Sequence, residues 1–444
     1  SQVDTVQFGK IYMLENDLYI NTKDIRDPEK VFAQGYLSSE KQIFSNSSET
    51  NKLVLEAVWD GKRMDIKQTL TQASTGNYAE ISAGINFYPD RTELRFEDSN
   101  ITALNETWKI TEENVVVFGN QRIDFENLSI YNTDQSISFN GQIAITQDSS
   151  QTLTVNFSDV EVANINPLTS ESYTGKLSGT VNAQNLYYNP IIFGDIEVID
   201  FKINEFLVGN LDGSITWNDF RQRFDVDFEV NRLNRRIIAM NGQFYPARPE
   251  NQLAINLRLN EANLNIAEPY IDDYFSNLGG FIDGRYTISG NIDSPLMKGQ
   301  GAIKEGRMKI NYLNTSYNFE GGIDFSKDVI ALENLQFVDA RNQTAQFGGR
   351  ISHNSFKDFR LDLIGQLNQF QVLNTNVDNG DAYYGSAIAT GQVSLSGEAS
   401  SLNISAKVKT ERDTRIYIPI TEDTGNNDVP EYITFVDRTV QDTT

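Results

Sequence analysis

Cysteine is absent from the 444 residues and histidine occurs once, at His353. The first absence excludes a disulfide framework and thiolate metal sites, and the second leaves little for imidazole-based zinc or acid–base chemistry. Absence of cysteine is compatible with an oxidising compartment. Cations are scarce: 37 Lys and Arg against 61 Asp and Glu give a net charge of −24. That is the wrong sign for a phosphate backbone, which excludes nucleic acid as a partner. No apolar run reaches the ~18 residues of a membrane-spanning helix, and no basic-then-apolar leader follows Ser1, so the chain reads as a piece of a longer or processed protein. At 39% hydrophobic and 11% aromatic it is nonetheless too apolar for a disordered acidic tail. Its length predicts roughly two to four domains.

What the sequence has in quantity is period-two alternation. Examples are Leu53-Leu55-Ala57-Trp59, Ala79-Ile81-Ala83-Ile85-Phe87, Ile123-Phe125, Leu128-Ile130, Ile137-Phe139 and Val155-Phe157. Further on come Phe224-Val226-Phe228-Val230, Leu253-Ile255-Leu257-Leu259 and Leu361-Leu363. Between the apolar positions stand mostly Asn, Asp, Thr, Ser and Gln, which is the pattern of half-buried antiparallel strands. Turn-forming stretches such as Asn132-Thr133-Asp134 separate them. One segment reads as a helix: after Glu268-Pro269, the residues Tyr270, Ile271, Tyr274, Phe275 and Leu278 fall at helical spacing before Gly279-Gly280. Such a helix would cover a sheet edge or plug an end.

Self-comparison gives an internal repeat. Gly175, Gly179, Pro190 and Gly194 recur as Gly280, Gly284, Pro295 and Gly299, without a gap, at an offset of about 105 residues. A third copy lies around Gly391, with Ala387, Leu402 and Ala406 replacing the first Gly, the Pro and the last Gly. This period is too long for short solenoid repeats, so each unit must hold several strands. Gly and Pro inside strand patterns predict bends or bulges there, giving a long sheet that curls the same way about every hundred residues. The expected division is 1–150, an N-terminal part of the sheet; 151–408, the repeat region; and 409–444, a C-terminal segment.

The stretch from Gly280 through Gly284 and Gly290 to Pro295 and Gly299, with its echo from Gly385 through Gly391 to Gly397, resembles the C-terminal region of the TamB family, translocation and assembly module subunits. The stretches Phe87 to Phe96 with Trp108, and Val117 to Phe125, are similar to that family too, and the Phe-, Tyr- and Asn-rich style resembles members from Bacteroidetes-type bacteria. The resemblance implies an all-β fold, an elongated, curled antiparallel sheet (a β-taco) with an apolar concave groove and at most short helices. It implies a protein anchored in the inner membrane by an N-terminal helix, crossing the periplasm, and meeting an outer-membrane barrel partner, TamA, through its C-terminal end. The implied activity is bridge-like transfer of phospholipid or another acyl lipid, with an older assignment to outer-membrane protein assembly. The anchor helix is not in this sequence, and the end at Asp437 to Thr444 is expected to fall short of the barrel-binding terminus.

The residues themselves lead to a similar expectation. An open curled sheet with one apolar face exposes a strip of the kind that marks a binding site. The candidate groove residues are those alternating apolar positions from Ile123 to Phe157, from Phe224 to Leu259, and at Leu361 and Leu363. At about ten residues per strand and turn the chain would give roughly 40 strands and a sheet on the order of 200 Å. The acidic excess is assigned to the outer face, where it keeps a long β-chain soluble. No cofactor or enzymatic chemistry is expected. Glu112-Glu113 and Asp272-Asp273 are immediate neighbours that do not face each other; Asp378 to Asp381 lacks the spaced ligands of a calcium loop; His353 has no partner spacing. Gly280-x3-Gly284 is flanked by Asp283 and Arg285, which excludes a lipid-embedded helix, and Gly175-Lys176 lacks the rest of a phosphate loop. Two other readings stay open: edge strands templating outer-membrane proteins by β-augmentation, and a structural array of closed β-sandwiches at the cell surface.

Overall fold

The computed structural model describes residues 2–418 apart from 9–10, 25, 27–29, 44–48, 73–75, 104–105, 147–150, 169–171, 273, 378–382 and 399–400. It is all-β: 28 strands joined in one antiparallel sheet. Among the described residues the helical elements are two 3-10 helices of seven residues, Val162–Leu168 and Leu264–Tyr270. Neighbours in sequence are neighbours in the sheet almost throughout, which hairpin connections allow. One place departs from this. Strands Arg91–Phe96 and Asn100–Ala103 both pair with Asn77–Phe87, and Glu106–Ile110 and Val115–Gly119 both pair with Arg122–Tyr131, so two successive strands are each broken in the middle. The break is held by Asn114, fully buried, whose Oδ1 accepts from the Phe96 N–H and whose Nδ2 donates to the Phe96 carbonyl, both at 2.8 Å.

Strands are fewer and longer than ten residues each would make them, reaching 19 residues at Lys357–Thr375. Long strands remain bent because they carry bulges. Register shifts fall between Phe125 and Leu128, Phe157 and Val160, Val198 and Phe201, Leu259 and Ala262, Leu332 and Leu335, and Leu367 and Phe370. In each, the residue before the second apolar one (Asn127, Asp159, Asp200, Glu261, Asn334, Gln369) has φ between 48° and 53°. An extra residue there bends the strand and frees a backbone N–H from the ladder. The neighbouring strand takes up several of these: Asp159 N–H donates to Ser178 Oγ at 3.1 Å, Glu261 N–H to Asp283 Oδ1 at 2.7 Å, and Gln369 N–H to Thr390 Oγ1 at 2.9 Å.

The bulges explain the sequence repeat. Phe157 faces Gly179, Leu259 faces Gly284 and Leu367 faces Gly391, so the same bulge meets the same glycine in each copy. From strand Thr152–Glu161 to strand Leu253–Asn263 is a step of six strands, and a second step of six reaches Lys357–Thr375. Of the repeat residues expected at bends, Gly175 and Gly280 sit at register shifts, Gly179, Gly284 and Gly391 lie opposite the first residue of a bulge in the neighbouring strand, and Gly194 and Gly299 lie in regular ladder. Pro190 ends a turn and Pro295 lies at a hairpin mouth opposite Gly290. In the third copy Gly385 (φ 132°) takes the conformation of Gly175 (φ 137°) and Gly280 (φ 101°), two residues before Ala387.

The helix expected over 270–278 is not there. The 3-10 turn ends at Tyr270, and Phe275–Asn291 is a strand. Phe275 and Leu278 are three apart on one face because a bulge at Asn277 (φ 56°) intervenes. Helical spacing is imitated by a bulged strand. The short turn still covers apolar surface, since Leu264 and Ile271 pack on one buried cluster and Ile266 on another.

Three ladder spacings separate strand Thr315–Ser326 from Lys357–Thr375, about 14 Å on a flat sheet. Tyr317 and Phe370 nevertheless stack with ring centroids 4.8 Å apart. The sheet therefore curls toward the face these rings share.

At a bulge position, side-chain branching next to a left-handed backbone costs about 1–3 kcal/mol, and glycine relieves it. Gln369→Val should lower the urea midpoint and speed local amide exchange in Lys357–Thr375, while Gln369→Gly should leave both unchanged or improved.

Candidate functional site: the apolar face

Ladder partners share a face, so the register can be followed across the sheet. Starting at Ile110, successive partners are Ile130, Ile137, Phe157, Gly179, Ile196, Gly213, Phe228, Met240 and Leu257. The row continues through Tyr286, Gly299, Phe325, Ile330, Ile351, Leu361, Gly397 and Leu402. No charged residue interrupts it. Every one of the proposed groove residues lies on this face: Ile123, Phe125, Leu128, Ile130, Ile137, Phe139, Val155 and Phe157 in one set of strands, Phe224, Val226, Phe228, Val230, Leu253, Ile255, Leu257 and Leu259 in the next, and Leu361 and Leu363 further on.

Burial is graded across the face. Val230, Ile255 and Leu363 are buried, and the other proposed groove residues are only half-buried. Buried residues gather along the bulges and toward the rim that carries the 3-10 turns: Leu278, Ile303, Tyr317, Phe319, Leu335, Phe337, Leu367 and Phe370 form the larger cluster. Toward the opposite rim, Phe224, Phe244, Met297, Phe325 and Leu361 stay partly open. The face thus has a closed side and an open lip.

Glycines on this face make room for rings. A Cβ on Gly213 would run into the Phe228 ring, one on Gly306 into Phe319, one on Gly365 into Phe347, and one on Gly284 or Gly301 into Tyr286. Rings lying over cross-strand glycines cover backbone that would otherwise be bare. Of these glycines, sequence reasoning read Gly284 as a bend and did not single out the others; the signal at Gly213, Gly306 and Gly365 was an aromatic at the facing register position. It also missed the bulges, whose signal is an apolar pair three apart with two intervening residues, as in Phe157-Ser158-Asp159-Val160 or Leu367-Asn368-Gln369-Phe370.

Two buried tyrosines on this face differ in satisfaction. Desolvation pushes both hydroxyls up to about 12. Tyr317 donates to the Gln371 carbonyl at 2.8 Å, whereas the Tyr286 hydroxyl has no partner among the described residues. The outer face is charged and paired: Lys67 with Glu80 at 2.7 Å and Lys304 with Asp283 at 2.6 Å, the latter holding the Asp283 carboxyl below its usual range together with the Glu261 N–H.

The residues weighed for chemistry lie apart from one another where they are described. No group of three or more His, Asp or Glu among the described residues could hold a metal ion. Glu112 and Glu113 are exposed in a turn; Asp273 and the loop Asp378 to Asp381 lie outside the described residues. His353 is buried at a hairpin, stacked on Phe356 at 4.6 Å, with Nδ1 accepting from the Phe356 N–H at 3.2 Å.

Residues 333–444, about a quarter of the chain, match the family model of the TamB C-terminal domain. The chain carries a TamB C-terminal domain. In the structure the TamB domain begins at the Glu333-Asn334 bulge and includes Leu361 and Leu363 of the apolar face, the third repeat glycine Gly391, and the strands through Arg415–Tyr417. Neither the curated proteins nor the solved structures gave a match.

The same substitution should act in opposite directions at the two tyrosines. Tyr286→Phe removes an unsatisfied buried hydroxyl and should hold or raise the melting temperature; Tyr317→Phe loses a made bond and should cost about 1 kcal/mol. Burial also pushes the His353 imidazole down. A depressed folded-state value means the unfolded chain binds the proton more readily, so stability present above the ordinary imidazole value of about 6.5 is lost as pH falls below it. Melting curves between pH 5.5 and 7.5 should show that slope in the wild type and a flatter one in His353→Gln.

Proposed function

We propose that the chain is part of a TamB-type periplasmic bridge that carries phospholipid or another acyl lipid between the inner and outer membranes along its apolar face. The observation that carries this reading is the uncharged row of ladder partners from Ile110 to Leu402. Removing a methylene from water contributes about 0.8 kcal/mol, so two acyl chains of about 16 carbons gain roughly 25 kcal/mol in such a groove. The same figure forbids free diffusion through water. Sliding requires neighbouring positions of nearly equal energy, and the row of Ile, Leu, Phe, Met, Tyr and Gly, with the charged Asp339 kept to the rim of the face, supports that need. The periplasmic setting and a TamA-like barrel partner enter this reading through the TamB domain. Among the described residues no helix is long and apolar enough to cross a bilayer.

A second reading keeps the fold and changes the cargo. Strand Ser401–Thr410, inside the TamB domain, pairs on one side with Tyr384–Glu398 and has no other strand partner among the described residues. That leaves a ladder edge on which a nascent outer-membrane strand would add by β-augmentation.

Photocrosslinking in cells separates the two. A crosslinker at Phe228, on the apolar face, should capture lipid, and one at the adjacent, outward Asp227 should not. Outer-membrane protein adducts in place of lipid would move the assignment to assembly, and silence at both positions would reject the conduit. In the conduit, Leu257→Asp plants a charge in the path and should compromise envelope integrity in cells while the protein stays folded.

A further inference from the structure

At the open lip, between strands Phe206–Asn218 and Leu253–Asn263, three arginines gather around one tyrosine. Arg248 lies over the Tyr245 ring with its Cζ 3.4 Å from the centroid, and Arg223 Nη1 donates to the Tyr245 hydroxyl at 3.3 Å. Arg221 stands in the adjoining turn, close enough that it helps Arg223 and Arg248 pull the Tyr245 hydroxyl below its usual range. In a chain of net charge −24 three arginines around one tyrosine are conspicuous, and Asp219, Asp225 and Glu250 lie in the same two segments. Arg223 pairs with Asp225 at 2.9 Å, but no ion pair forms at Arg221 or Arg248 among the described residues. The Arg223 Nε is buried without a hydrogen-bond partner among the described residues.

The inner side of the same lip is aromatic. Trp217 and Phe224 are tilted against each other at 4.8 Å, Phe224 faces Phe244 across the ladder, and Phe220 at the turn is 96% exposed. Because Arg223 and Phe224 are consecutive in a strand, one points outward and the other into the groove. An apolar contact and a cationic one are thus only the thickness of the sheet apart.

We propose that this part of the lip binds the phosphate of an anionic phospholipid whose acyl chains lie against Trp217, Phe224 and Phe244. The assignment rests on the groove reading above and adds to it where the headgroup sits and what charge it bears. Guanidinium groups match phosphate oxygens with paired N–H donors. Stacking on Tyr245 holds Arg248 by its face and leaves those donors free. The complementary charge also answers an electrostatic difficulty, since an anionic headgroup is otherwise repelled by the acidic outer surface.

The test uses the purified chain and two phospholipids with the same fluorescent acyl chains, phosphatidylglycerol and phosphatidylcholine, with inorganic phosphate as a competitor. The wild type should prefer phosphatidylglycerol by about three- to tenfold, as exposed charge contacts are modest. Arg221→Gln with Arg248→Gln should abolish that preference and leave phosphatidylcholine binding unchanged; Arg223 is left intact because it pairs within the sheet. A wild type without headgroup preference, or a double variant that keeps it, overturns the lip assignment alone. Displacement by inorganic phosphate that is independent of the acyl chains also overturns it, in favour of a site for the free ion. Failure of either lipid to bind a folded wild type overturns the groove reading and the lip assignment together.

Discussion

Everything in this sheet depends on keeping side-chain parity through a bend. A strand places alternate residues on opposite faces, and slipping by one residue would turn an apolar row into water. Strands of up to 19 residues must bend to curl the sheet, and the bulge bends them without losing parity. Apolar residues three apart, such as Leu259 and Ala262 or Leu332 and Leu335, stay on one face because the two residues between them span the kink. Polar residues at the kink tolerate the left-handed backbone and stand outside the groove. The curl, the buried crease and the continuous apolar face all follow from that local device.

Much of this was legible in the sequence. Alternation gave the fold class and placed the groove candidates, and the register puts all of them on one face. The Gly-Pro repeat pointed to a recurring unit, and the unit is six strands. What alternation concealed was the bulge, because an apolar pair three apart also fits a helix; Tyr270 to Leu278 was read that way and is a turn followed by a strand. The strand count was overestimated for a related reason. Bulges let one strand run on where a turn was assumed, so the described residues form 28 strands where roughly 40 were expected of the whole chain, and the sheet spans on the order of 100 Å along its path. Glycines inside strands had two possible meanings, bend or close approach, and only the facing residue distinguishes them. Gly213 under Phe228 is the second kind.

The two sides of the face do different work. The cluster around Tyr317, Phe319, Phe337 and Phe370 closes the sheet on itself near the crease and supplies rigidity. The lip opposite, with Phe224, Phe244 and Phe325 half-covered, is where the face remains accessible. Stability and access are therefore assigned to separate stretches of the same strands. A substitution near a bulge should be felt as unfolding, and one near the lip should leave the fold in place.

The six-strand repeat has a consequence for growth. Inserting one residue within a strand breaks parity, and inserting one strand reverses the direction of every strand that follows. A whole unit does neither: six is even, and each unit ends at the bulge and glycine with which the next begins. Such a sheet changes length in whole modules of about 105 residues, each adding six spacings, or about 29 Å. The span of the apolar face would then be set by counting modules, with loops and bends absorbing the remainder.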